Sequence, residues 1–445
     1  MSADADLDAV IVGAGVAGLA AAAVLRRTGA RCVVLEAGAR IGGRAFTDHP
    51  AALGGAPFDH GASWLHAAER NPLVPLARAA GHDLFDTQGD WTRHVMIDGR
   101  PATAAETAAY TATWERFEAV ARARAASGAD VTVDDAVAEL RADPWLATVA
   151  TWEASLIAAA DPRDLSVQDW HLNELSGGNL RVTGGLGAMV AQMLAPPAGA
   201  LRLGATVCRI AWNQAGGGVT LAGDFGTLTA RAAIVTVSTG VLRAGGIAFV
   251  PALPEPQRAA LDGLPMGLLS KVALAAAGPD RLGIAPGTSL YRRLADPAEP
   301  AVFFSLWSQG QSQAVGFFGG RAAWALAHEG RAATEAFARA ELRRLLGSAA
   351  DAAFAGAVVT QWGTDPHFLG AYAYAKPGCV AARAVMDAPL AGRLWFAGEA
   401  WCMDGLAGTV GGAFLSGARA AAGAAEALRL SAPALPDCSG QAPSR

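Results

Sequence analysis

The segment that most restricts the fold of this chain lies at its N-terminus. An apolar run, 8–12, leads directly into Gly13-Ala-Gly15-Val-Ala-Gly18, an alanine-rich stretch follows, and a second apolar run ends at Glu36. This order predicts a βαβ unit whose helix begins with backbone N–H groups directed at a phosphate. Gly13 permits the tight turn, Gly15 lets the backbone approach a pyrophosphate, and Gly18 allows close contact of helix and strand. We expect Glu36 to bind ribose hydroxyls, so the segment predicts a dinucleotide site.

The residues that follow Glu36 indicate FAD rather than NAD. Two glycines and an arginine, Gly42-Gly43-Arg44, come just after the acid. A long dinucleotide would extend across the edge of the sheet at this point, and Arg44 can pair with a phosphate, which the shorter NAD pattern does not require. Ala37, Gly43 and Arg44 are therefore candidate FAD contacts.

Size and composition limit the remaining possibilities. At 445 residues and 52% hydrophobic composition, the chain predicts two joined domains. A formal charge of −5 without a basic run argues against nucleic acid or an anionic membrane as the partner and favours a cationic small molecule. No apolar run approaches the roughly 20 residues of a spanning helix, and no secretory signal is apparent. Five scattered cysteines predict neither disulfides nor a metal site, so we expect a cytoplasmic protein.

Five sequence blocks in a fixed order extend over nearly the whole chain. They are 10–44; Asp59-His-Gly-Ala-Ser-Trp64-Leu-His66; Pro265-Met-Gly-Leu-Leu-Ser-Lys271; Trp362 with Gly370-Ala-Tyr372-Ala-Tyr374; and Phe396-Ala-Gly398-Glu399 with Gly408-Thr409-Val410. Together they resemble the flavin-containing amine oxidase family, which includes monoamine oxidases, polyamine and spermine oxidases and flavin histone demethylases. The second and fourth blocks are most similar to the polyamine and spermine oxidase branch.

The resemblance implies an α/β fold (α+β overall), in which a Rossmann-like FAD-binding domain is interleaved with a substrate domain of mixed sheet and helices. Apolar periodicity supports this topology, because 201–210, 218–221 and 232–237 are predicted strands that return to the first domain. We assign 1–64, 185–249 and 391–430 to the FAD-binding domain and 65–184 and 250–390 to the substrate-binding domain. Residues 431–445 predict a flexible tail.

Four residues are implied to be catalytic by the resemblance: Lys271, Tyr372, Thr409 and His66. The family's lysine holds a water against flavin N5, and its tyrosine forms one wall of an aromatic cage over the flavin. The opposite wall is a tyrosine in monoamine oxidases but Thr409 here, which disfavours a monoamine substrate. His66 matches a pocket histidine of spermine oxidases that could bind or deprotonate an amine, with a purely structural histidine as the alternative.

The residues themselves also single out Lys271. Only Lys271 and Lys376 among the 35 basic residues are lysines, and Lys271 lies in an apolar, strand-like run where an unpaired ammonium would be costly to bury. The alternative is a lysine that points outward from an amphipathic strand. Tyr372 and Tyr374 are spaced by two and should therefore face the same side of a strand.

The resemblance extends the cofactor site and outlines a substrate pocket. Further cofactor candidates are Gly61, Ala62, Ser63, Trp64, Val207, Trp362, Gly398, Glu399, Thr409, Val410 and Ala413. Pocket candidates are His66, Glu174, Tyr372 and Trp401, with core packing as the alternative for Trp362 and Trp401. Glu174 is the preferred receptor for a distal ammonium, and we expect Asp169 to be exposed to solvent. Monoamine oxidases have a cysteine just before the cage tyrosine, where this chain has Ala371, so FAD is expected to bind non-covalently.

The implied reaction is oxidation of a C–N bond. Hydride would pass from the carbon next to an amine nitrogen to flavin N5, the imine would hydrolyse to an aldehyde, and O2 would be reduced to H2O2. A polyamine or related alkylamine is the favoured substrate. The alternatives are an L-amino acid oxidase, which needs an arginine for the carboxylate, a natural-product amine oxidase, and a non-catalytic FAD-binding protein. Monomer and homodimer are both compatible with the sequence.

Overall fold

The computed structural model of the protein describes residues 7–86, 93–213 and 217–430, and the predicted tail 431–445 lies outside these residues. The strands are β1 (Leu7–Val12), β2 (Cys32–Leu35), β3 (Thr47–Asp48), β4 (Phe58–Asp59), β5 (Leu84–Asp86), β6 (Arg93–Ile97), β7 (Arg100–Pro101), β8 (Leu180–Val182), β9 (Leu201–Arg202), β10 (Val207–Ala211), β11 (Val219–Gly223), β12 (Gly226–Val235), β13 (Ala248–Val250), β14 (Met266–Gly267), β15 (Leu269–Ala276), β16 (Thr288–Arg292), β17 (Phe303–Leu306), β18 (Gln313–Gly319), β19 (Phe354–Val359), β20 (Tyr372–Ala373) and β21 (Leu394–Phe396). The helices are α1 (Val16–Arg27), α2 (Leu73–Ala79), α3 (Ala104–Ala126), α4 (Val133–Ala136), α5 (Leu146–Ala150), α6 (Val167–Leu172), α7 (Leu186–Ala198), α8 (Thr239–Arg243), α9 (Glu255–Gly263), α10 (Gly320–Glu329), α11 (Arg331–Leu346), α12 (Ala349–Ala353), α13 (Ala382–Asp387) and α14 (Val410–Ala427). Among the helices of the described ranges, none offers the apolar length that a bilayer crossing needs.

The predicted βαβ unit is confirmed and lies in the middle of the first sheet. Within the described residues this sheet has the order β13-β10-β11-β12-β1-β2-β9, with β21 also paired to β12. β1 runs parallel to both β2 and β12. Its residues from Asp8 onward are all buried, as expected for a parallel strand that helices cover on both faces. Gly29 ends α1 with a φ of 79°, the left-handed conformation expected of a glycine after a helix.

β12 connects two kinds of pairing in the first sheet. Its first half pairs antiparallel with β11, and its second half runs parallel to β1 and β21. The chain therefore returns to the first sheet twice, once through 201–250 and once through β21, as the interleaved topology requires.

Helices α1, α7 and α14 cover one face of the first sheet. Gly417 of α14 lies directly against the backbone of Ala17 in α1, so the two helices approach closely. The same apolar core takes in Leu73 and Val74 of α2 and Leu180 of β8. These residues belong to 65–184, which we assign to the substrate domain, although they pack in the core of the first sheet. The domain limits therefore stay a prediction.

The second sheet separates two helical layers. Its order is β19-β15-β18-β17-β16-β6-β7 in the described part of the chain. Consecutive residues of a strand point to opposite faces, so Phe317 packs with α3, α5 and α6 while Phe318 packs with α10 and α11. Lys271 of β15 is directly opposite Phe317. It therefore points to the face that carries α3 and α6.

Candidate functional site

A cavity of about 1090 Å³ is lined by elements from both sheets. It extends from the turn between β1 and α1, past β15 and β20, to α3 and α6. This volume is larger than that of an ordinary small-molecule pocket and suits a dinucleotide together with a substrate. The candidate residues that line it are Gly13, Gly15, Glu36, Ala37, Gly43, Arg44, Gly61, Ala62, Ser63, Trp64, His66, Glu174, Val207, Lys271, Trp362, Tyr372, Gly398, Glu399, Thr409, Val410 and Ala413.

The turn between β1 and α1 is shaped for an anion. Gly13 has a φ of +103°, and a Cβ there would lie 2.6 Å from Oγ1 of Thr236. Gly15 is the N-cap of α1, with no side-chain cap and no acidic residue in the first helical turn. The N–H groups at the start of α1 can therefore meet a negatively charged ligand. Gly18 lies outside the cavity lining, and a Cβ on it would clash with the carbonyl of Gly13.

Glu36 is held in a fixed orientation at the cavity wall. One carboxylate oxygen accepts from the backbone N–H of Ala14 and the other from that of Gly38, both at 2.7 Å. A carboxylate has about four lone-pair sites, so two bonds leave capacity for ligand hydroxyls. The geometry fits the ribose role predicted for Glu36.

Arg44 and Glu399 join the nucleotide segment to the strand that carries Tyr372. Nη1 of Arg44 donates to the carbonyl of Ala371 at 2.7 Å and to Oε1 of Glu399 at 2.8 Å. Glu399 also accepts from the N–H of Ala373 at 3.3 Å. Arg44 is thus engaged by a carboxylate, and its pairing with a phosphate stays a prediction.

Lys271 is buried, contrary to the alternative of an outward-pointing side chain. Its Nζ donates to the carbonyl of Asp59 at 2.9 Å, to that of Gly61, and to Oγ of Ser63 at 2.6 Å. Burial lowers the pKa of Lys271 to about 7, while the Asp59 carboxylate opposes this shift. An amine with this pKa can hold or release a proton near neutral pH.

Tyr372 and Thr409 face the same cavity but are held differently. The phenol of Tyr372 donates to the carbonyls of Leu156 and Ile157, with oxygen distances of 3.2 and 3.0 Å. Burial raises the pKa of Tyr372, so the phenol stays protonated. Thr409 caps α14, because its Oγ1 accepts from the N–H of Gly412 at 3.0 Å and donates to the carbonyl of Leu406. Its hydroxyl therefore organises the helix N-terminus.

His66 presents a neutral ring to the cavity. Nδ1 lies 2.7 Å from Oδ1 of Asn179, and because that oxygen only accepts, Nδ1 carries the proton. Burial lowers the pKa of His66. The ring stacks against Trp64, with centroids 6.1 Å apart. Nε2 then bears a lone pair that can accept a hydrogen bond.

Glu174 lines the cavity but already has a cationic partner. Its two carboxylate oxygens both lie 3.1 Å from Nε of Arg122, and one is 2.8 Å from Nδ1 of His171. Arg122 also pairs with Glu118 at 3.0 Å. This compensation weakens the case for Glu174 as the receptor of a distal ammonium.

Glu153 lines the cavity and is not among the site residues that the sequence predicts. It lies in a short π-helical segment, Thr151–Leu156, and accepts from Nε1 of Trp170 at 3.0 Å. Burial raises the pKa of Glu153 to about 7, with Glu118 and Glu174 adding to the rise. π-Helical segments often occur at functional sites. A signal was available, because Glu153 is the lone charged residue in 144–160.

Two expectations about the pocket are wrong. Trp401 is 1% exposed and packs in the core under the first sheet, outside the described lining of the cavity, because the turn Glu399–Trp401 directs its ring inward. Asp169 is 4% exposed rather than solvated. Its carboxylate binds the guanidinium of Arg383 through contacts of 2.8 and 2.9 Å and accepts from the N–H of Ala375 at 2.7 Å.

Replacing Arg383 with methionine should lower the free energy of unfolding by about 3–5 kcal/mol, because Asp169 would remain as an uncompensated buried charge. Both side chains of this pair are 5% exposed. The matched control is Arg321→Met, since Arg321 is 63% exposed and pairs with Asp161 and Asp164 at the surface. That change should cost roughly 1 kcal/mol or less. Equal losses for the two variants in urea unfolding would contradict the structural role of Asp169–Arg383.

Known proteins resemble this chain along most of its length. Residues 16–425 match the model of a family described as flavin containing amine oxidoreductases. Polyamine oxidase 5 of Oryza sativa subsp. japonica is 29% identical, over 93% of this chain and 86% of that protein. Probable polyamine oxidase 4 of Arabidopsis thaliana is 30% identical, over 92% of this chain and 85% of that protein.

Solved structures share the fold. A putrescine oxidase bound to putrescine has a TM-score of 0.75 at 21% identity, covering 94% of this chain and 98% of that one. A cyclohexylamine oxidase from Brevibacterium oxydans has a TM-score of 0.72 at 23% identity, covering 96% of this chain and 100% of that one. At these identities the likeness concerns the fold alone.

Proposed function

Because this chain belongs to the family of flavin-containing amine oxidoreductases, we propose that it is an FAD-dependent oxidase of polyamines or related alkylamines. The observation that carries the proposal is one continuous cavity with two chemically different parts. Its lining includes the amine of Lys271 and the phenol of Tyr372, and also an acidic part made by Glu118, Glu153 and Glu174, whose carboxylates lie close enough for Glu118 and Glu174 to raise the pKa of the buried Glu153 further. Arg122 is the cation that offsets this acidic part.

The residues at the end of the cavity near the turn between β1 and α1 fit FAD. A Cβ at Gly13 would meet Oγ1 of Thr236, and a Cβ at Gly43 would lie 3.2 Å from Cα of Gly15. Glu36 can accept from ribose hydroxyls, and the open N-terminus of α1 suits a pyrophosphate. The family shows that the cofactor is a flavin, and the cavity volume of about 1090 Å³ favours the dinucleotide. When bound, FAD would supply the redox chemistry: it would accept the hydride from the carbon next to the amine nitrogen, and O2 would take the two electrons to become H2O2.

Non-covalent attachment of FAD is supported by the position of the cysteines. Ala371 stands directly before Tyr372 in the cavity wall. Cys32, Cys208, Cys379 and Cys402 are absent from the described lining, and Cys438 lies outside the described residues. Acid precipitation should therefore leave the yellow flavin in the supernatant, and flavin in the protein pellet would contradict the proposal.

The chain's own residues position and deprotonate the amine. Tyr372 is fixed by its two carbonyl partners, so its ring can restrict the approach of an amine through its π face. His66 offers a neutral Nε2, and Lys271 can exchange a proton near neutral pH. Once the substrate is oxidised, the imine hydrolyses to an aldehyde.

The acidic part of the cavity favours a second amino group on the substrate. Glu153 precedes Leu156 by three residues in the same π-helical segment, and the carbonyl of Leu156 accepts from the phenol of Tyr372. A chain with amines at both ends could place one nitrogen near Tyr372 and the other near Glu153. We therefore prefer Glu153 to Glu174 as the distal ammonium receptor.

A substrate carboxylate is poorly served by this cavity. The arginines in its described lining are Arg44, Arg122 and Arg383. Each of them already binds a carboxylate, in Glu399, Glu174 and Asp169 respectively. An L-amino acid oxidase needs an arginine for its substrate carboxylate, so this alternative is disfavoured.

A peroxide-release screen tests the proposed function. We expect diamines, spermidine and spermine to be oxidised faster than monoamines of similar length, and L-amino acids to give no peroxide. Bleaching of the flavin by each amine without air separates oxidation of the substrate from reaction with O2. Fastest oxidation of an L-amino acid would refute the assignment.

A further inference from the structure

Lys271 is held by three oxygen atoms that are not chemically equivalent. Nζ contacts the carbonyl oxygens of Asp59 and Gly61 and the hydroxyl of Ser63. A carbonyl oxygen only accepts a hydrogen bond, whereas a hydroxyl accepts or donates. Ser63 is therefore the partner whose role can change.

The charged and the neutral state of Lys271 require different hydrogen-bonding roles of the Ser63 hydroxyl. An ammonium has three N–H donors, one for each oxygen of the site. A neutral amine has two N–H donors and one lone pair, so it needs two acceptors and one donor. Ser63 can satisfy both states by rotating its O–H, which can point to the carbonyl of Gly61 at 3.4 Å in the first state and to Nζ in the second.

The charges around Lys271 leave both states accessible. Burial lowers the pKa of Lys271, the Asp59 carboxylate raises it, and Arg181 lowers it further. Burial also lowers the pKa of the neighbouring His60, and Lys271 adds to that effect. The Asp59 carboxylate is engaged with the N–H groups of Leu186 and Gly187, at 3.2 and 3.3 Å. The adjacent strands β18 and β19 bring uncharged groups to this position. Burial outweighs the effect of Asp59 and brings the pKa of Lys271 to about 7.

We propose that Ser63 is a positioning residue, which keeps Nζ of Lys271 in one place in both charge states by reversing the direction of their hydrogen bond. The proposal rests on the proposed function for the use of a bound flavin as its reporter. A hydrogen bond from an ammonium is stronger than one between neutral groups. The hydroxyl of Ser63 therefore stabilises the charged state of Lys271 more than the neutral state.

The test is a pH titration of the visible flavin spectrum in resting holoenzyme, comparing wild type with Ser63→Ala and Ser63→Thr. Lys271→Met identifies the transition that belongs to Lys271, because that variant should lack it. We expect a midpoint near 7 in wild type. Ser63→Thr retains the hydroxyl, so its midpoint should lie within about 0.3 pH unit of the wild-type midpoint. The midpoint of Ser63→Ala should be lower than that of wild type by at least about one pH unit.

An unchanged midpoint in flavin-bound Ser63→Ala would overturn the proposal. A hydroxyl with a structural role alone would alter flavin affinity or the unfolding temperature and leave the midpoint in place. If Ser63→Ala does not bind flavin, Ser63→Cys replaces it, because a thiol is a weaker hydrogen-bonding group and should also lower the midpoint. A protein that binds flavin but oxidises no amine would refute the proposed function and still show these midpoints.

Discussion

Replacing Lys271 with methionine should lower the turnover of an amine by about 10²–10⁴-fold while the flavin stays bound. Methionine has a similar length and no charge, so it can fill a site that is only 4% exposed. What it removes is the amine that donates to Asp59, Gly61 and Ser63 and that can exchange a proton near neutral pH. Stopped-flow absorbance measures flavin reduction by amine and reoxidation by O2 separately.

The chain provides a matched control for this variant. Lys376 is the other lysine of the sequence and is exposed at the surface. Lys376→Met should therefore retain wild-type rates in both half-reactions. Wild-type reduction and reoxidation in Lys271→Met would show that the buried amine takes no part in the chemistry.

Replacing Glu153 with glutamine should lower kcat/KM for a diamine by roughly 30-fold, which corresponds to about 2 kcal/mol. Glutamine keeps an oxygen that can accept from Nε1 of Trp170, so the main change is the loss of negative charge. A monoamine of similar length has no second ammonium for Glu153 to bind, so its kcat/KM should change by no more than about twofold. Glu174→Gln is the matched control, because Arg122 already compensates that carboxylate.

Glu153→Gln should also change how the preference for a diamine over a monoamine depends on pH. Burial raises the pKa of Glu153 to about 7, so the carboxylate that attracts an ammonium forms as the pH rises through this value. The ratio of diamine to monoamine kcat/KM should therefore increase with pH in wild type and stay flat in Glu153→Gln. Taking the ratio cancels the titration of Lys271 and of the reacting amine. A wild-type ratio that is independent of pH would exclude Glu153 as the receptor.

Structural features that depend on local geometry follow well from the sequence. The turn at Gly13, the end of α1 at Gly29 and the course of β1 and β2 follow from backbone freedom and apolar periodicity along a short segment. The apolar pattern of 201–210 predicts one strand, but the structure divides it into β9 and β10, which pair with different strands of the first sheet. Such a division depends on partners that are distant in the chain.

Buried polar groups were predicted less well, because their environment is assembled from remote segments. Asp169 is an acid in a polar stretch. Its burial is favourable only because Arg383 and the N–H of Ala375, both distant in the sequence, bind its carboxylate. Glu153 is the lone charged residue of its apolar stretch, but its position in the cavity depends on α6, which brings Trp170 to it, and on α3, which brings Glu118 near it. Lys271 was identified because lysine is rare in this chain and its block resembles a known family.

The strands of the two sheets come from interleaved segments of the chain, and this affects how the chain can be cut or recombined. Strands of the first sheet come from 7–35, 201–250 and 394–396, while those of the second come from 93–101 and 269–359. A break between residues 102 and 268 leaves each fragment with strands of both sheets. A single crossover between two such proteins in this range would therefore join strands of different parents within both sheets, so the two fragments must be compatible along two sets of strand pairings.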